Sequence, residues 1–107
     1  MHSAVITGRG NFFCTAAKFD DVLRVSHPLA LHKRTTLGFQ LMFDAFISFP
    51  KPILAAVNGP AYGGGVTQAT LCDVTFSVEQ AIFSLPFVKW HVSPEGCSTA
   101  HLARIIG

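Results

Sequence analysis

Charged residues are scarce in this sequence: they fill 13% of its 107 positions, against 50% hydrophobic. So little charge excludes an intrinsically disordered chain, which needs many charges and few apolar groups. The basic residues, 8 against 6 acidic, are scattered and leave a net charge of +2, so they build no nucleic-acid footprint. Long apolar runs are missing too. None approaches the roughly 18 residues of a membrane-spanning helix. His2, Arg9 and Asn11 interrupt any signal-peptide core, and no terminal targeting motif is visible. Cysteine is limited to Cys14, Cys72 and Cys97, an odd number without paired spacing. That argues against a disulfide framework and against zinc; reduced thiols in an intracellular protein are the simplest account.

Phenylalanine is the abundant residue, at 10 positions. A chain of this length is one domain or part of one, and so many Phe imply a sizeable core, or surface that wants a partner. Ala4 to Thr7 reads as a short buried strand, followed by a Gly8–Asn11 loop. Phe13 and Phe19 read as core, and Asp20-Asp21 as the start of a short helix through Val25. Ser26 to Lys33 reads as a polar connector, with His27 and His32 solvated rather than metal-bound for want of a third ligand. The clearest helix is Thr35 to Phe49. Gln40, Asp44 and Ser48 recur on one face, and Phe39, Met42, Phe43, Phe46 and Phe49 form an apolar stripe that belongs to the core. Pro50 and Pro52 end it. Asp73 to Ser77 and Ala81 to Ser84 read as strands, Leu85 to Val92 as irregular, and Ser98 to Ile106 as a helix. Strands alternating with helices argue an α/β fold.

The chain centres on Ala55 to Asp73. Ile53 to Val57 is a buried strand. Asn58-Gly59-Pro60 is a turn, with Gly59 expected at positive φ. Gly63, Gly64 and Gly65 then open a helical segment, Val66 to Cys72. Backbone N–H groups at a helix start have no intrahelical partner and sit at the positive end of the dipole. Three residues without Cβ let an oxygen approach them closely. A phosphate loop would end in Gly-Lys-Ser/Thr, and a dinucleotide fingerprint would space its glycines differently; neither fits. An oxyanion hole fits, with a backbone N–H aimed at a thioester or carbonyl oxygen. The alternative is a close helix–strand contact with no ligand.

Three segments occur in order: Gly8-x-Gly10-x-x-Phe13-Cys14, then Lys51-Pro52-x-x-Ala55-x-Val57-Asn58-Gly59-x-Ala61-x-Gly63-Gly64-Gly65, then Cys72-Asp73. Together they resemble the enoyl-CoA hydratase/isomerase (crotonase) superfamily. The resemblance runs from Ala4 to Gly107. Ser93-Pro94-Glu95-Gly96-Cys97-Ser98 resembles more narrowly its peroxisomal Δ3,Δ2-enoyl-CoA isomerase branch. It implies a partial crotonase-like domain over residues 1–107, a spiral of ββα units without the family's N-terminal strands and C-terminal helices. The full domain would assemble as a homotrimer or hexamer. It also implies an acyl-CoA thioester as substrate, no other cofactor, no metal, and a peroxisomal or mitochondrial home.

The resemblance assigns the oxyanion donors to the N–H groups of Gly64 and Ala17. Thr15, Ala16, Ala17, Lys18, Phe19, Gly63, Gly64, Phe87 and Trp90 would contact substrate. Here the chain departs from the family motif: Thr15 and Ala16 replace Ala-Gly, and Lys18 replaces Asp. Alanine in a glycine position resists positive φ. The two hydratase glutamates fall on Thr67 and Phe87, which carry no acid–base chemistry, whereas the isomerase glutamate falls on Glu95. The implied reaction moves a 3-enoyl-CoA double bond to the 2-trans position in β-oxidation of unsaturated fatty acids, with Glu95 carrying the proton. The alternatives are a non-catalytic acyl-CoA- or protein-binding module, as in the chromodomain-linked co-repressors, and an inactive fragment.

Overall fold

The computed structural model describes residues 2–18, 24, 27–96 and 98–107. The expected helix from Asp20 therefore lies outside the described residues, except for Arg24. Strands β1 (Ala4–Thr7), β2 (Ile53–Val57) and β4 (Val74–Ser77) form a parallel sheet in the order β1-β2-β4. Strands β3 (Ala61–Tyr62) and β5 (Phe83–Ser84) form a second, two-stranded parallel pair. Helices α1 (Pro28–Ile47), α2 (Gly64–Leu71) and α3 (Ser98–Ile106) complete the described elements with a 3-10 turn, Val88–Trp90.

Central strand β2 obeys the two-residue period. Ile53, Ala55 and Val57 are buried on one face, and Ala69 of α2 and Cys72 close over them. Ile6, Phe13, Phe46, Phe49 and Ala81 pack around that cluster. Burying a side chain such as Val57 contributes roughly 2 kcal/mol. Strand register is pinned at one end by Asp73. The Ile53 N–H donates to Asp73 Oδ2 at 2.7 Å, and the Asp73 N–H donates to the Ile53 carbonyl at 2.9 Å. Cys72 is a free thiol; burial, then the neighbouring Asp73, push its pKa up, so it is a packing residue.

Several boundaries differ from the sequence reading. Helix α1 begins at Pro28, not Thr35, so the expected connector is its first turns. Proline at the first helical position has the right φ and no N–H to leave unsatisfied. His27 caps the helix: its Nδ1 accepts from the Leu29 N–H at 3.2 Å. Helix α2 starts two residues before Val66, at Gly64. Gly59 is not among the residues at positive φ; it is glycine because its backbone lies against Asn11, where a Cβ would overlap the Asn11 carbonyl. The expected strand at Ala81 shortens to Phe83–Ser84 and pairs with β3, which sequence reasoning missed.

Candidate functional site

The cavity of interest forms where three segments meet at the start of α2. Gly63 is the α2 N-cap, at φ +53°, and is held from both sides. Its N–H donates to the Ser84 carbonyl at 2.8 Å, and its carbonyl accepts from the Val66 N–H at 3.0 Å. On the far edge of β3, Cys14 bridges Ala61 in parallel, and the Tyr62 N–H donates to the Cys14 carbonyl at 3.0 Å. This short ladder carries the chain past Cys14 into Thr15–Ala17 alongside the glycines.

Asn58 fixes how that segment arrives. Its Oδ1 accepts from the Gly8 N–H at 2.9 Å, and its Nδ2 donates to the carbonyls of Gly10 and Phe12 at 2.8 and 3.3 Å. One side chain thus ties the whole 8–12 loop to the end of β2. Gly65 sets the spacing: a Cβ there would overlap Cys14 Cβ and Sγ, so only glycine lets α2 lie against Cys14. Ala16 takes φ +74°, the left-handed backbone that its side chain resists. The glycine-like turn is therefore present despite the alanine, held by the packing on either side.

Glu95 enters from the opposite wall. Its carbonyl accepts from the Ser98 N–H at 3.1 Å, which anchors it to the first turn of α3. Gly96 lies against the Phe43 ring and Thr67 Cγ2, where a side chain would overlap both. This packing aims the Glu95 carboxyl at the start of α2, with Oε1 3.5 Å from where a Gly64 Cβ would be. The fully buried Thr67 donates its hydroxyl to Glu95 Oε1 at 3.2 Å. Oε2 is buried and has no hydrogen-bond partner among the described residues. Burial pushes the Glu95 pKa up; the Thr67 hydroxyl pulls it partly back.

The cavity has a volume of about 320 Å³. Cys14, Ala16 and Ala17 line one side, and Gly63, Gly64, Gly65 and Gln68 the floor. Phe39 and Met42 of α1 line another side, with Phe87, Trp90, Val92, Ser93 and Glu95 closing the rest. Among the described residues, none accepts a hydrogen bond from the backbone N–H of Gly64 or of Ala17. Unpaired backbone donors, one of them at a helix start, beside an apolar cavity with one carboxyl among the described residues can hold an oxygen that gains negative charge, while the carboxyl moves a proton.

Of the residues expected at a site, Ala16, Ala17, Gly63, Gly64, Phe87, Trp90 and Glu95 all line this cavity. Thr15 and Lys18 do not; both are exposed. The segment reaches the cavity through Ala16 and Ala17. Phe19 lies outside the described residues. Phe39, expected in the core, is 41% exposed and lines the cavity with Met42. Sequence reasoning missed Thr67 as a partner of Glu95. The signal was its position three residues after Gly64, one helical turn along the same face.

Known proteins share this sequence pattern and fold. Human chromodomain Y-like protein 2 is 43% identical over 107 residues, covering 96% of this chain and 21% of that protein. Mouse peroxisomal enoyl-CoA delta isomerase 3 is 34% identical over 104 residues, covering 96% of this chain and 33% of that protein. The crystal structure of an enoyl-CoA hydratase from Polaromonas sp. JS666 superposes with a TM-score of 0.88 at 30% identity, over 100% of this chain and 42% of that one. The fold is thus the crotonase fold, represented in part: the chain spans about two-fifths or less of the relatives it matches. The sequence profile of enoyl-CoA hydratase/isomerase matches residues 1–107, and the chain belongs to that family, whose enzymes need no cofactor beyond the coenzyme A thioester they act on.

Proposed function

We propose that the domain containing this chain is a Δ3,Δ2-enoyl-CoA isomerase and that Glu95 is its base. The observation that carries this reading is the carboxyl in the cavity: of the described residues lining it, Glu95 alone bears one. A double-bond shift needs one group that takes a proton and returns it, whereas hydration must manage a water and a proton together. Thr67, at a position where the family resemblance puts a hydratase glutamate, instead supports Glu95.

The steps balance without any other reagent. Glu95 removes a proton from C2 of a 3-enoyl thioester, and the electron pair delocalises onto the thioester oxygen. The N–H groups of Gly64 and Ala17 hold that oxygen. As the dienolate collapses, the same carboxyl returns the proton at C4, leaving the 2-trans double bond. Phe39, Met42, Phe87 and Trp90 would hold the acyl chain and keep the carboxyl dry. β-Oxidation of unsaturated acyl chains in the peroxisome, and a trimeric or hexameric full domain, belong to the same proposal. The peroxisome is supported by the likeness to mouse peroxisomal enoyl-CoA delta isomerase 3.

Isomerisation of 3-hexenoyl-CoA, followed through the ultraviolet absorbance of the conjugated product, tests it. Turnover that falls about a hundredfold or more in Glu95→Gln supports the reading. Turnover that survives the substitution removes Glu95 from the role. A second reading, a module that binds acyl-CoA without turnover, draws on the likeness to chromodomain Y-like protein 2. A chain folded by circular dichroism that binds hexanoyl-CoA but isomerises nothing would favour it.

A further inference from the structure

We infer that Thr67 is a positioning residue whose hydroxyl holds Glu95 Oε1 and so fixes how the carboxyl is presented to the substrate. This rests on the isomerase reading. The argument begins with the inequality of the two carboxyl oxygens. Oε1 receives the Thr67 hydroxyl at 3.2 Å, and Oε2 is buried with no partner among the described residues. A buried carboxyl oxygen left without a donor is costly, so the Thr67 hydroxyl on Oε1 is the one hydrogen bond that holds this carboxyl among the described residues. Thr67 is itself fully buried, on the first turns of α2, so its hydroxyl is not competing with water.

Three features hold the pair in place. The α2 helix carries both Gly64 and Thr67, so the oxyanion end and the carboxyl's anchor move as one body. Gly96 lies against Thr67 Cγ2, which fixes the rotation of the threonine from its methyl side. The Ser98 N–H holds the Glu95 carbonyl, which limits how far the carboxyl can swing. Few other groups can set the proton affinity of Glu95. The cavity's one other titratable side chain among the described residues is Cys14, on the opposite wall. Asp44 of α1 lies in the shallow groove beside Gly96 and Phe43 and is exposed, and His91 after the 3-10 turn is exposed. Helix α2 presents Thr67 and Gln68 here and no charge.

Thr67→Val keeps the shape and removes the donor; Thr67→Ser keeps the donor. In Thr67→Val the isomerase kcat is expected to fall about tenfold, with KM little changed, as suits the loss of one hydrogen bond to a charged group. The acidic limb of its kcat/KM profile moves to higher pH, because a hydroxyl that stabilises the carboxylate is gone. Thr67→Ser restores both to within about threefold, which a purely structural role would not predict. A carbon-13 NMR titration of the Glu95 carboxyl supplies a readout free of turnover. An upward shift in Thr67→Val that Thr67→Ser reverses supports the inference even if the wild-type chain isomerises nothing, in which case the isomerase reading alone fails. An unmoved titration in Thr67→Val, or equal loss in the serine and valine variants, overturns it.

Discussion

Two segments face the same corner of the cavity, and they reach it by different means. At Gly63–Gly65 the backbone takes its turn without steric cost, and a helix start supplies the N–H groups. Thr15–Ala17 are not helical, and Ala16 carries a side chain at φ +74°. That conformation persists only because other contacts over-determine it: the Cys14–Ala61 bridge before it, and Asn58 gripping the loop upstream. One half of the corner is shaped by its own residues, the other by its neighbours. Substitutions should therefore act locally in the glycine segment and at a distance in the alanine segment.

The largest expected effect breaks the contact between the two halves. Gly65→Ala would drive a Cβ into Cys14 Cβ and Sγ, and Cys14 cannot rotate its own Cβ away. Overpacking should destabilise the chain by about 2 kcal/mol, after the ~1 kcal/mol gained in helix propensity. Urea unfolding checks it. Adding Cys14→Gly should recover much of the loss, since the new Cβ would then face Cys14 Cα at 3.6 Å. Next comes Asn58→Ala, which strips three hydrogen bonds from the 8–12 loop and leaves the Gly8 N–H without its acceptor. A loss of roughly 1.5 kcal/mol is expected. If the alanine segment depends on its neighbours, amide exchange should quicken at Ala16 and Ala17 in this variant and hold steady at Val66 and Thr67.

The contrast explains what was legible in the sequence. Strand β2 was readable over Ile53–Val57, because five apolar residues between proline and a turn admit little else. Helix α3 was readable over Ser98–Ile106. The glycines announced a close approach, and Gly64 and Glu95 do share one cavity. Strand β3 was not readable, since two residues between Pro60 and Gly63 carry no period. The start of α1 was hidden because a histidine ring does the capping that serine or aspartate usually does. Glu95 sits in a Pro/Gly stretch that reads locally as solvated. Its burial comes from Gly96 wedging against Phe43 and Thr67, which are distant in sequence.

Glu95 marks the wall that both halves share, and its effect on stability has a definite sign. Burial raises its folded pKa above the unfolded value, so the native chain binds that proton more tightly. Its contribution to stability is full below the ordinary carboxylate pKa and is lost as pH rises through the raised one. Glu95→Gln has no proton to lose. It should match or slightly trail wild type in acid and gain on it as pH climbs past that window. The gain is modest because the group is only half-buried. Urea midpoints at pH 4 and pH 7 measure it; equal differences at both would mean that the carboxyl is ionised freely in the fold.

The smallest effect bears most directly on the comparison. Ala16→Gly removes the Cβ that the left-handed backbone resists, a relief of about 1 kcal/mol or slightly more. Glycine also gives the unfolded chain more freedom, which takes back about 0.4–1 kcal/mol. The net should be a stabilisation of a few tenths of a kcal/mol, visible as a small rise in urea midpoint. If neighbours impose the turn on alanine, the same variant should also weaken the dependence on Asn58. Asn58→Ala should then quicken exchange at Ala17 less in the Ala16→Gly background than in the parent. If Ala16→Gly instead destabilises the chain, the Ala16 methyl is held by packing near Gly63, 3.6 Å from where that glycine's Cβ would lie. The alanine segment would then be shaped by its own side chain, and the two halves of the corner would differ less than their backbones suggest.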